Sequence, residues 1–370
     1  MKTNSLKYTF LLLMGALFSM GFASCSEDHM DVLSNWTWDD SDTSNVKPDP
    51  TPDPTPTDKI VQAGWTDVSA TFSGLPSYIK VYNRTTTTDG SAAKAYIAVA
   101  DMSQAKFEVS GDIHWSDDAQ GNGNESLYTP SQFYDRNGNP AVVINGGLFF
   151  SSTTGSGATF YYSQSGCYHN STLLSPNQNY YSENWTDFWY PTIGFFYQGS
   201  DNLFHATWTY YASDGSDYSY ADVKKIDKGT PETSAPNATS PSAGTKLNDG
   251  STVKEGIGGV GVLIHDGIIR NTWADEMLDV SADSNQPRTA VGYDKADNKL
   301  VFFVCEGRQM TEGVAGMTTG EVANLLTAIG CTEALNLDGG GSSQMLIMGK
   351  ETIKGSDGQQ RSVIDACFIK

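Results

Sequence analysis

Residues 335–344 read Leu-Asn-Leu-Asp-Gly-Gly-Gly-Ser-Ser-Gln, an apolar run that ends in one carboxylate, three glycines and two hydroxyls. Glycine costs backbone entropy wherever it sits, so three in succession imply that the chain must come close to something. The run Gly339-Gly340-Gly341-Ser342-Ser343 can present consecutive backbone N–H groups as an anion-binding concavity, with the serine hydroxyls as further donors. A carboxylate such as Asp338 facing that nest would repel the anion it holds. The pairing makes sense if Asp338 acts on a bond next to a bound phosphate. Taken alone, an Asp-Gly-Gly-Gly run is more often a turn than a site.

Other residues are brought to the same place by the elements around them. Residues 317–330 carry Val322, Leu325, Leu326 and Ile329 at helical spacing, with Thr318 and Glu321 as a capping box and Gly330 as a stop. This helix lies between two apolar strands, one ending at Glu306 and the other at Asp338. Strand, helix, strand predicts a right-handed crossover between parallel strands, with both carboxylates on the edge where ligands tend to bind. Residues 288–306 read as a hairpin turning near Ala296 and Asp297, with Thr289 opposite Val304. Arg288 then reaches that edge beside Glu306, offering a planar fork suited to phosphate oxygens. Asn145 closes a further strand, 140–145, and brings an amide. Each feature has a plainer reading: Arg288 with Glu306 as a cross-strand ion pair of small net value, and Asn-Gly-Gly as a tight turn. Their convergence on one edge is what points to a site.

Elsewhere short apolar runs alternate with turn residues. Residues 192–211 read as an aromatic-rich hairpin about Gly-Ser-Asp-Asn, and 261–270 as another turning at Asp266-Gly267. Residues 228–250, rich in Thr, Ser, Pro and Gly, read as a surface excursion. The predicted fold class is α+β: mixed, mostly antiparallel sheets with one late parallel β-α-β unit and a surface cavity at the strand ends.

With 43 acidic against 23 basic residues the formal charge is −20. Such a surface argues against nucleic acid and anionic lipid as partners, and an anionic substrate must find a local basic pocket. Residues 1–24 have a basic start, a short apolar core and small residues before a cysteine, the pattern of a bacterial lipoprotein signal peptide. Cys25 would then be the acylated N-terminus of an exported outer-membrane lipoprotein, held to the membrane by its lipid anchor alone. An ordinary secretory signal cleaved near Ala23 is the alternative. Residues 25–58 are an acidic Pro/Thr-rich spacer, and 59–370 form the folded domain, with an aromatic-rich insertion at about 151–250. Cys167, Cys305, Cys331 and Cys367 match no zinc spacing, and whether they pair is left open. The oligomeric state is not legible.

In five blocks, "VVINGGLFF" (142–150), "GIGGVGVLIHDG" (256–267), "PRTAVGYD" (287–294), "GMTTGEVANLLTAIGCTEALNLDGGGSSQM" (316–345) and "RSVIDACFI" (361–369), the chain resembles the phosphodiester glycosidase family over about residues 95–370. That resemblance implies a cavity lined by Asn145, Arg288, Glu306, Asp338, Gly339, Gly340, Ser342 and Arg361. It also implies hydrolysis of the glycosidic bond of a sugar-1-phosphodiester, releasing free sugar and a phosphomonoester. Glu306 and Asp338 would be the catalytic pair, in an order the sequence leaves open. Residues 151–250 follow no pattern of the family, and their aromatics suit either sugar stacking or sheet packing. The rival readings are a non-catalytic glycan-binding lipoprotein and a metal-dependent phosphoesterase on Asp338 and Glu306. The five scattered histidines offer the latter no ligand set. No cofactor is implied, and a structural divalent cation at an acidic loop stays open.

Overall fold

The computed structural model describes residues 58–111, 126–153, 159–183, 186–224, 228–229 and 231–370. The signal segment, Cys25 and nearly all of the spacer lie outside the described residues. Pro56–Lys370 forms one unit.

The run Leu300–Cys305 shows why the central sheet forms. Successive strand residues face opposite sides: Leu300, Phe302 and Val304 enter one core, Val301, Phe303 and Cys305 another. Both faces are covered, so the segment is apolar throughout rather than alternating. This strand, Lys299–Cys305, sits inside an eight-stranded sheet next to Arg288–Asp294. The two form the expected hairpin, with Thr289 opposite Val304. One face carries the helix Thr319–Ala328, whose Val322, Leu325 and Leu326 are buried. The Thr318 hydroxyl accepts the Glu321 N–H at 3.1 Å. Glu321 bonds to the N–H of Thr88 at 2.9 Å, so only half of the predicted capping box forms. Gly330 ends the helix at φ +101°, a conformation that favours glycine.

The crossover differs from expectation in one respect. Lys299–Cys305 and Glu333–Asn336 run in the same direction but are not bonded to each other. Arg288–Asp294 lies between them and pairs antiparallel with both. Every strand pairing among the described residues is antiparallel. A hairpin strand offers two hydrogen-bonding edges, and here the second edge receives the strand that returns from the helix.

A seven-stranded sheet spans much of 167–258, and a five-stranded sheet combines Phe107–Gly111, Val142–Asn145, Met345–Ile347, Lys350–Glu351 and Asp365–Ile369. The three large sheets meet on one core, where Phe107 lies 5.5 Å from Phe204 and 6.2 Å from Phe302, edge to face in both cases. The predicted hairpin of Ile193–Gly199 with Phe204–Tyr211 is present. So is the tight turn at Asp266 and Gly267, with φ of +48° and +75°. Phe195, Phe196, Phe204 and Trp208 are fully buried, so a large share of the aromatic insertion is packing. All four described cysteines are buried and free.

Candidate active site

Asp338 follows the buried strand Glu333–Asn336, where the chain leaves the eight-stranded sheet and crosses to the five-stranded one. Its backbone is held from both sides: its N–H donates to the Gly146 carbonyl at 3.1 Å, and its carbonyl accepts from Asn145 Nδ2 at 2.8 Å. Asn145 Oδ1 accepts from Thr289 Oγ1 at 2.7 Å and from the Gln344 N–H at 3.2 Å. One buried amide therefore joins strands of two sheets and fixes the height of the Asp338 loop. Asp338, half-buried, lines a cavity of about 260 Å³. Burial raises its pKa to about 6, against the opposing effects of Ser342, the Gly339 N–H and Arg361.

The glycine run does not form an open nest. Gly340–Ser342 is a single 3₁₀ turn. The Gly339 N–H bonds to Asp338 Oδ1 at 2.9 Å. The N–H of Gly340 donates to Pro287 O, that of Ser342 to Gly339 O and that of Ser343 to Gly340 O. What the glycines permit is close approach of arginine. A Cβ on Gly340 (φ +59°) would lie 2.8 Å from Arg308 Nη2, and one on Gly341 would lie 2.0 Å from Arg361 Nη2. Two guanidinium groups thus rest on bare backbone, and both line the cavity together with Arg288. Against a net charge of −20, this is the local basic pocket that an anionic substrate requires.

The three arginines differ in freedom. Arg288 is buried and donates from Nε to Met317 O at 2.9 Å, from Nη1 to Val280 O at 2.9 Å, and from Nη2 to Ser281 O at 2.6 Å and Ser284 O at 2.8 Å. Four of its five N–H donors are engaged, so it organises the 280–284 wall and presents at most one N–H to a ligand. Burial also lowers its pKa. Arg361 binds Asp357 at 2.7 Å through Nε. Arg308, exposed at φ +56°, is steadied by Gln286 Oε1 at 2.9 Å.

Of the residues expected at the site, Arg288, Asp338, Gly339, Gly340, Gly341 and Arg361 line this cavity. Four do not. Asn145 is wholly buried behind the loop, and Ser342 and Ser343 are buried beneath it. Glu306 is the substantive correction. It ends its strand at the expected edge, but its carboxylate turns away to Lys94 Nζ at 2.9 Å and the Lys354 N–H at 2.8 Å. It is 1% exposed and pairs with Lys94, whose side chain is part-buried. Its pKa is lowered: burial works to raise it and is outweighed by Thr311, the Lys354 N–H and Lys94.

Two residues were not anticipated. Arg308 sits in a left-handed turn whose conformation no local pattern announces. Asp365 is fully buried in the strand after Arg361, and its one signal is a charge within an apolar run. Its Oδ1 accepts the Gly147 N–H at 2.8 Å, while Oδ2 is buried with no partner. Burial, and then the nearby Asp338, push its pKa up to about 7. Two carboxyl groups with raised pKa values thus flank the Gly146–Gly147 backbone. Among the described residues no group of three or more His, Cys, Asp or Glu is placed to hold a metal ion.

A carboxylate beside an arginine-lined cavity, carried on packed antiparallel sheets, is the architecture of a site for an anionic substrate. The model of the phosphodiester glycosidase family matches residues 138–370, and the chain belongs to that family. Among solved structures, the zebrafish N-acetylglucosamine-1-phosphodiester alpha-N-acetylglucosaminidase catalytic domain, auto-inhibited by its pro-peptide, is 17% identical, with a TM-score of 0.50 over 80% of this chain and 84% of that one. At that identity the likeness speaks for the fold. A putative exported protein of Burkholderia pseudomallei is 15% identical, with a TM-score of 0.48, covering 76% of this chain and 74% of that one. An uncharacterized prophage-derived protein of Bacillus subtilis is 39% identical over 98 residues, which span 26% of this chain and 14% of that relative.

Proposed function

We propose that the protein hydrolyses the bond between an anomeric carbon and the phosphate of a sugar-1-phosphodiester. One observation carries this reading: Asp338 opens onto a cavity walled by three arginines, two of which, Arg308 and Arg361, rest on glycine backbone. The phosphoryl group lies against Arg308, Arg361 and the remaining N–H of Arg288, where charge-assisted hydrogen bonds are strongest. Its leaving form is a phosphomonoester, already a good leaving group, so a strong general acid is not required. Asp338, ionised above a pKa of about 6, acts at the anomeric carbon as the base for water or as the nucleophile. Water adds to the anomeric carbon, the carbon–oxygen bond breaks with its electron pair going to phosphate, and the water proton leaves through the carboxylate. Glu306, tied to Lys94 and Lys354, takes no part.

The reading includes an exported lipoprotein acylated at Cys25 and facing carbohydrate phosphodiesters outside the cell. The test of the reaction is a screen of sugar-1-phosphodiesters for released reducing sugar, with an aryl glycoside lacking phosphate as control and a chelator arm alongside. Release from a phosphodiester alone supports the reading. Equal cleavage of the phosphate-free glycoside, or no cleavage of any diester, refutes it.

A further inference from the structure

A second cavity, of about 650 Å³, adjoins the first and shares Asp338 and Arg361 with it. Its volume is within the roughly 300–1,000 Å³ of pockets that bury whole small ligands. One wall is the hairpin of Phe149–Thr153 with Thr159–Ser163, in which Ser151 pairs with Tyr161 and Phe150 with Tyr162. By strand alternation Phe149, Ser151 and Tyr161 share one face, and all three line the cavity, as does Phe150 from the other face. Phe149 packs into the core beneath, and its ring centre lies 6.5 Å from that of Tyr161, which is left half-buried above it. The opposite wall is polar: Asp357, held by Arg361, and the exposed amide of Gln359.

The two cavities differ in charge. The smaller is lined by three arginines and two aspartates, Asp279 and Asp338. The larger has one arginine against Asp338 and Asp357. A phosphoryl group is therefore favoured in the smaller and disfavoured in the larger. An aromatic face opposite amide and carboxylate groups matches an uncharged pyranose, which has an apolar C–H face and a rim of hydroxyls.

We propose that the larger cavity seats the sugar ring that is released, stacked on Tyr161 and hydrogen-bonded from the Asp357–Gln359 side. This rests on the phosphodiester reading and assigns the two halves of the substrate to the two cavities that share Asp338. The test is binding, which does not depend on turnover. Saturation-transfer NMR measures affinity for glucose, galactose, mannose and N-acetylglucosamine, and calorimetry measures it for inorganic phosphate. The chain should bind at least one of the sugars. Tyr161→Ala should weaken that binding about fivefold to tenfold, the scale of one aromatic contact, and leave phosphate affinity unchanged. Tyr161→Phe, which keeps the ring, should retain sugar affinity and reports on folding. Arg308→Ala should reverse the pattern, weakening phosphate and sparing sugar. Binding of none of the sugars, sugar binding indifferent to Tyr161→Ala, or Tyr161→Ala weakening phosphate equally would overturn the assignment. If these results hold while the diester screen fails, the reaction is wrong and the sugar seat stands.

Discussion

Gly340→Ala and Gly341→Ala separate the two ways in which the glycine run serves the site. At Gly341 the added methyl would lie 2.0 Å from Arg361 Nη2 and 2.6 Å from Asp357 Oδ1, so the Arg361–Asp357 pair must move as a unit. Its φ is outside the left-handed region, so backbone strain is not part of the effect. At Gly340 the methyl meets only the exposed tip of Arg308, 2.8 Å away, but φ is +59°. That conformation costs an L-residue about 1–2 kcal/mol, which should appear as a small loss of stability. Each substitution withdraws one guanidinium from the phosphoryl group. A hydrogen bond to a charged group is worth roughly 1.5–3 kcal/mol, or about 10–150-fold in kcat/KM. The loss should fall mainly on KM, because the phosphate is charged before and after the bond breaks. Steady-state kinetics on a sugar-1-phosphodiester, with thermal denaturation of the same samples, measures both effects. Unchanged KM in both variants, with each folded, would refute the role given to the arginines.

Asp338→Asn should keep the fold and reduce turnover about a hundredfold or more, the usual scale for losing such a group. In the unsubstituted protein kcat/KM should fall below pH of about 6 as Asp338 protonates; a rate flat from pH 5 to 8 would exclude it. Asp365 has a folded pKa of about 7 against 3.8 unfolded, so its contribution to stability is complete at low pH and is lost as pH rises to about 7. Asp365→Asn should flatten that dependence in denaturant titrations at several pH values, and identical curves would contradict it. Glu306→Gln should destabilise the protein by roughly 1–2 kcal/mol, since it weakens the bond to Lys94, whose side chain keeps access to solvent, with kcat per folded molecule retained. Loss of turnover at full stability would return Glu306 to the mechanism. Cys25→Ala should convert a membrane-associated protein into a soluble exported one, and unchanged fractionation would exclude the anchor.

The local features of this chain follow from its sequence because their physics is local. The Asp266-Gly267 turn, the helix capped by Thr318 and stopped at Gly330, and the arrival of Arg288 and Asp338 at one sheet edge depend on residues close in the chain or on strand direction. The longest glycine-rich block also carries the family resemblance, and the family is where that block belongs. Tertiary structure decided which of the gathered groups face the cavity. Glu306 and Asp338 end similar strands, yet Glu306 meets Lys94, 212 residues away, and is neutralised in the interior. Asp338 meets the arginine-lined cavity instead. Arg288 looked free and is clamped by four carbonyls; Arg308 enters the site from a left-handed turn, and Asp365 lies buried behind it on a different sheet. A carboxylate's chemistry depends on its solvation and on the charge beside it. Both are set by side chains far away in sequence, and only the packed sheets bring those together.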